Sequence, residues 1–76
     1  MPRLPKDLPG LRVIKALSKL GFRAIRQKGS HVVLEKLENN ERWGCVVPMH
    51  KELKVGTLKS ILKQARLSEE EFLAVL

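Results

Sequence analysis

His31 and His50 are the only two histidines in the chain, and each adjoins a short β-rich run. His31 follows Gly29-Ser30 and opens Val32-Val33-Leu34; His50 follows Cys45-Val46-Val47-Pro48-Met49. Imidazole has an unperturbed pKa of ~6.5 and so exchanges protons near neutrality. Such a base can take the proton of a ribose 2′-OH, whose oxygen then attacks the adjacent phosphorus. Cations nearby stabilise the charge that develops on the phosphorane. The products are a 2′,3′-cyclic phosphate and a 5′-OH; the step needs no metal, and DNA lacks the nucleophile. His31 is the candidate catalytic base, and His50 is a candidate assistant that would protonate the leaving 5′-oxygen. Plainer roles stand beside these: a backbone hydrogen bond for His31, and a surface position beside Lys51 for His50. Glu52 or Glu35 could orient an imidazole, although the spacing selects neither.

Cations flank both histidines. Arg26 and Lys28 precede His31, and Lys51 and Lys54 follow His50. All four are candidate RNA-phosphate contacts, or else a solvated rim. Gly29 is a candidate for close approach by a phosphate, and a plain turn explains it equally well. Ser30 is a candidate hydrogen-bond donor to phosphate or to His31. It is not expected to be a nucleophile, since no acid is placed to suggest a triad. Charge supports a polyanion partner: 15 Lys and Arg against 8 Asp and Glu give a net +7, with the basic residues concentrated before Leu34. Each phosphate neutralised releases counterions, which favours binding to nucleic acid.

A chain of 76 residues forms one small domain, residues 1–76, and buries only ~60% of its unfolded surface. A surface grip on a polymer suits that size better than a deep cavity. Cys45 is the one cysteine, so an intrachain disulfide is excluded, and the Cys and His spacing holds no structural zinc pattern. No apolar run approaches the ~20 residues of a membrane span, and the N-terminus lacks a signal-peptide core. No cofactor or metal is implied, and a cytoplasmic location is expected. Trp43 without any Tyr gives no row of stacking aromatics; it is expected to be partly buried or at a protein interface.

The elements that must position the histidines follow from periodicity. Residues 1–8 are an extended lead-in. Pro9 can open a helix, along which Leu11, Ile14, Leu17 and Leu20 recur at helical spacing with Val13 widening the stripe. Gly21 stops it. Phe22 to Lys28 is a strand, Gly29-Ser30 a turn, and His31 to Leu37 a second strand. Alternation puts His31, Val33, Glu35 and Leu37 on one face and Val32, Leu34 and Lys36 on the other, leaving open which face is buried. A polar turn at residues 38–41 leads to a third strand that ends at Pro48. Leu58, Ile61, Leu62 and Ala65 mark a second helix. Ser68 and Glu71 form a capping box, with Leu67 and Phe72 as its hydrophobic staple, so a short third helix follows. The predicted class is α+β: an α-β-β-β-α two-layer sandwich with a short C-terminal helix, an antiparallel sheet, and one sheet face left open.

Four stretches together carry a family resemblance: Lys19-Leu20-Gly21-Phe22, Arg26-Gln27-Lys28-Gly29-Ser30-His31, Val47-Pro48-Met49-His50, and the run from Glu52 to Ala65. In these the chain resembles HicA toxins, the small mRNA interferases of bacterial and archaeal HicA–HicB toxin–antitoxin systems. The resemblance implies a fold like a double-stranded-RNA-binding domain. It also implies ribosome-independent cleavage of mRNA with the histidine at position 31 as catalytic residue, and inhibition by a HicB antitoxin that covers the site. The chain departs from the family at Val55, where Pro is frequent, at Arg66, where Gly is frequent, and near Pro9, where a capping Ser is frequent. Those departures bear on helix ends. Two other classes compete with an endoribonuclease toxin. One is a non-catalytic RNA-binding domain of the same fold; the other is an interaction protein that pairs with a partner by strand addition.

Overall fold

A computed structural model describes residues 3–76, so Met1 and Pro2 of the lead-in lie outside the described residues. The elements run in the order α1 (Gly10–Lys19), β1 (Arg23–Lys28), β2 (His31–Glu38), β3 (Glu41–Pro48), α2 (Val55–Gln64) and α3 (Glu69–Leu73). The strands form one antiparallel sheet in the order β1-β2-β3. This is the α-β-β-β-α layout that the periodicity predicts. Both hairpins are two-residue turns. Asn39 and Asn40 both take left-handed backbone, φ +52° and +65°, as a type I′ turn requires. Gly29 alone is left-handed in the other, φ +60°. That is the pattern of a type II′ turn, whose first central residue is glycine because it has no Cβ to clash.

One face of the sheet is the core. Val32 and Leu34 of β2 and Cys45 and Val47 of β3 point into it, where they join Val13, Ala16 and Leu17 of α1 and Leu58, Ile61 and Leu62 of α2. His31, Val33, Glu35 and Leu37 therefore take the open face. Lys36 shares the core side without being sealed in. Its Nζ lies 5.8 Å from the Phe22 ring centroid and 5.9 Å from that of Trp43, so the stem covers apolar surface while the charge reaches the sheet's end. Cys45 is a small core residue, and burial raises its thiol pKa from the ordinary 9.0 to about 11. Iodoacetamide at pH 8 is expected to leave Cys45 unmodified in the native protein and to alkylate it in denaturant. Because the folded pKa is raised, this contribution to stability is complete below pH 9 and is lost as pH climbs towards 11.

Several details add to or differ from the sequence reading. Leu11 is exposed, because each three-residue step drifts by about 60° around a helix, and the buried stripe is centred on Val13, Ala16 and Leu17 instead. Strand β1 begins at Arg23 and is exposed along its whole length, with a bulge between Ala24 and Arg26. It is an edge strand that neither helix fully covers. The extended lead-in is packed down: Leu4 and Leu8 are buried in the core, and Leu53 N–H donates to the Leu8 carbonyl at 2.8 Å. Pro9 is the N-cap of α1 rather than its first helical residue, and no side chain caps that end.

The helix C-termini close alike. In α1, Gly21 N–H bonds the Ser18 carbonyl and Phe22 N–H that of Leu17, a Schellman motif. In α2 the Arg66 and Leu67 amides repeat it on Lys63 and Leu62, with Arg66 at φ +60°. A left-handed arginine costs about 1 kcal/mol. Its guanidinium offsets this by lying 4.6 Å from the half-buried Trp43 ring and 3.0 Å from Glu41, while Trp43 Nε1 donates to the Ala65 carbonyl at 3.0 Å. Helix α3 carries the capping box: Ser68 Oγ accepts from Glu71 N–H at 3.0 Å, and Glu71 accepts from Ser68 N–H at 2.9 Å. Those bonds lower the Glu71 pKa.

Candidate active site

Opposed residues in antiparallel strands share a face, so register fixes which side chains meet on the open side. Lys28, His31 and Pro48 stand in one row across the three strands, and Arg26, Val33 and Val46 in the next. Arg26, Lys28, His31 and Val33 line a shallow depression of about 570 Å³ there. His31 is at the first position of β2, directly after the turn, and is exposed. Gln27 holds that turn by donating from Nε2 to the Gly29 carbonyl at 3.1 Å.

His50 arrives from the other side. Beyond Pro48 the chain bends back, and two backbone bonds secure it. Met49 N–H donates to the Ser30 carbonyl at 2.6 Å, and Gly10 N–H donates to the His50 carbonyl at 2.9 Å. Helix α1 can begin this close only at a glycine: a Cβ on Gly10 would run into the Pro48 carbonyl. The two imidazoles stand 6.4 Å apart between centroids, inclined at 72°. Residues separated by 19 positions thus form one exposed pair.

The charged side chains nearest the pair are Arg26 and Lys28 in the depression and the exposed Lys51 and Glu52 after His50. Among the described residues the three ion pairs are Lys36–Glu38, Arg42–Glu35 and Arg66–Glu41; Arg26 and Lys28 enter none of them. Glu35, a candidate to orient an imidazole, is instead engaged by Arg42 at 3.7 Å. Ser30 is exposed, and its carbonyl accepts from the Met49 amide. Gly29 has open space around it. Lys51 and Lys54 are exposed, Lys51 in the loop after His50 and Lys54 at the N-cap of α2. Neither lines the depression. Among the described residues no three His, Cys, Asp or Glu side chains cluster to hold a metal ion, and no helix is long and apolar enough to cross a membrane. Sequence reasoning missed Val33 as part of the floor and the Gly10 amide as the anchor of His50. The one signal for Gly10 was a glycine where a helix starts, a position at which most residues serve better.

These features define a small α+β domain bearing an exposed histidine pair and unpaired cations on an open sheet face. The chain belongs to the HicA toxin family: the family model for HicA toxins of bacterial toxin–antitoxin systems matches residues 10–67. It is the toxin component of such a system, and an antitoxin is its partner. A comparison with curated proteins gave no match.

Proposed function

We propose that this toxin is a metal-independent endoribonuclease that cleaves mRNA, with His31 as the general base on the ribose 2′-OH. One observation carries the reading: His31 lies exposed in a depression shared with Arg26 and Lys28, two cations that no carboxylate neutralises. An imidazole beside two free cations suits a phosphodiester better than it suits a neutral substrate. Arg26 and Lys28 hold the scissile phosphate and stabilise the phosphorane charge. Gly29 leaves room for the strand, and Ser30 donates to a phosphate oxygen. Lys51 and Lys54 hold the RNA backbone beyond the depression. Helix and sheet leave the site open, so a polymer can lie across it in the cytoplasm, where mRNA is found. A HicB-type antitoxin inhibits the enzyme by covering this face.

The test uses a single-stranded RNA and the same oligonucleotide made of 2′-deoxynucleotides, both with chelator present. The RNA is expected to be cut to fragments ending in 2′,3′-cyclic phosphate and 5′-OH, and the deoxy strand to stay intact. Cutting of both strands would exclude the 2′-OH mechanism. Salt-sensitive binding of RNA without cutting would mark the chain as an RNA-binding domain instead.

A further inference from the structure

Attack by the 2′-oxygen leaves the 5′-oxygen in need of a proton, and a single base cannot supply it in the same step. We propose that His50 is that proton donor, so that the site works as a two-imidazole acid–base pair. This rests on the function proposed above for His31. Neutral His31 accepts the 2′-OH proton as the 2′-O–P bond forms. The P–O5′ bond breaks, and protonated His50 gives its proton to the departing 5′-oxygen. His31 finishes protonated and His50 neutral, and exchange with water restores both.

Three observations place His50 in this role. Its ring is 6.4 Å from that of His31 and inclined at 72°, so nitrogens of both can reach one phosphodiester lying between them and solvent. Its backbone is held rather than loose. The carbonyl of His50 takes the Gly10 amide, and the neighbouring Met49 amide bonds to Ser30, the residue just before His31. The backbone segments that carry the two rings are thus joined by a shared set of bonds. The charged groups nearest the pair are Arg26 and Lys28 from β1, which line the depression with His31, and the exposed Lys51 and Glu52 that follow His50 in its own loop. Helix α1 contributes the Gly10 amide, which bonds the His50 carbonyl. Arg26 and Lys28 anchor the phosphate, and imidazole is the side chain most often used for proton transfer.

The experiment compares an RNA oligonucleotide with one whose scissile 5′-bridging oxygen is replaced by sulfur. A thiol ionises with a pKa of ~8.5, so the sulfur leaves as thiolate without an acid. His50→Gln is expected to cut the oxygen substrate about 10²-fold or more slowly and the sulfur substrate at close to the wild-type rate. That rescue also reports that the variant is folded. His31→Ala is expected to lose both substrates. The wild-type rate on the oxygen substrate should follow a bell-shaped pH profile, and His50→Gln should lack its alkaline limb. Equal losses on the two substrates, no loss on either, or an alkaline limb retained by His50→Gln would each overturn the role of His50 alone. A wild type that cuts neither substrate would overturn the function proposed for His31, and this inference with it.

Discussion

Replacing His31 with alanine is expected to slow RNA cleavage about 10²- to 10⁴-fold, the range that a positioned general base contributes, while leaving the fold intact. The separation of the two effects follows from position. His31 is exposed at the first residue of β2, outside the core side chains that hold sheet to helices. An exposed substitution of this kind changes stability by within about 0.5 kcal/mol. The measurement is single-turnover cleavage of a labelled RNA by wild type and variant, with urea unfolding of both. Cleavage by His31→Ala at the wild-type rate would remove the base from its assignment. A loss of cleavage matched by a loss of folding would attribute the effect to the turn instead. Binding of RNA should survive, because Arg26 and Lys28 remain. This is how the loss of chemistry is told apart from the loss of grip.

Phe72→Ala is expected to have the largest effect on stability. Phe72 is fully buried, although its helix, α3, spans only Glu69–Leu73. Truncating a buried phenylalanine costs about 3–5 kcal/mol. A domain of 76 residues has only about 4–11 kcal/mol in total. The urea midpoint should therefore fall by roughly 2 M or more, and at the lower bound of total stability the variant would be largely unfolded without denaturant. Leu11→Ala, at an exposed position of α1, is the control and should be nearly silent. A small shift for Phe72→Ala would show that α3 is dispensable. The point reaches beyond one residue. Leu4, Leu8 and Phe72 are all core residues, yet all lie outside the segment 10–67 that matches the family model. The matched segment alone does not contain the whole core.

The fold was legible where one rule governs each residue. Leu58, Ile61, Leu62 and Ala65 are buried as their spacing requires, and the Ser68–Glu71 box forms as written. Legibility failed where tertiary context decides. The burial of Leu4 and Leu8 depends on a bridge to Leu53, which is 45 positions from Leu8, and no local pattern announces it. The exposure of Leu11 could have been read from helical drift, since a stripe of residues every three positions turns away from any fixed face. At the site, residue types sufficed to nominate His31, Arg26 and Lys28. Alternation split β2 into two faces but could not say which was buried. That depends on where the helices pack. The hairpin that ends at Pro48 made a His31–His50 pairing readable as one possibility, since His31 stands opposite Pro48; the Gly10 amide that holds His50 comes from α1 and was not readable. Lys51 and Lys54 follow His50 in sequence and, like it, are not among the residues lining the depression.

The Gly10 and Met49 amides, whose bonds hold the segment carrying His50 in place, provide a way to watch the site. Trp43, the one tryptophan, packs under Arg66 beside the end of α2, so its fluorescence follows the opposite end of the sheet. Hydrogen exchange at the Gly10 and Met49 amides instead follows the histidine pair directly. If the start of α1 lifts away while the sheet persists, these two protons exchange early and the Trp43 signal does not change. The protein would then be folded by every optical measure and yet have its two histidines apart, a state that only amide exchange would record.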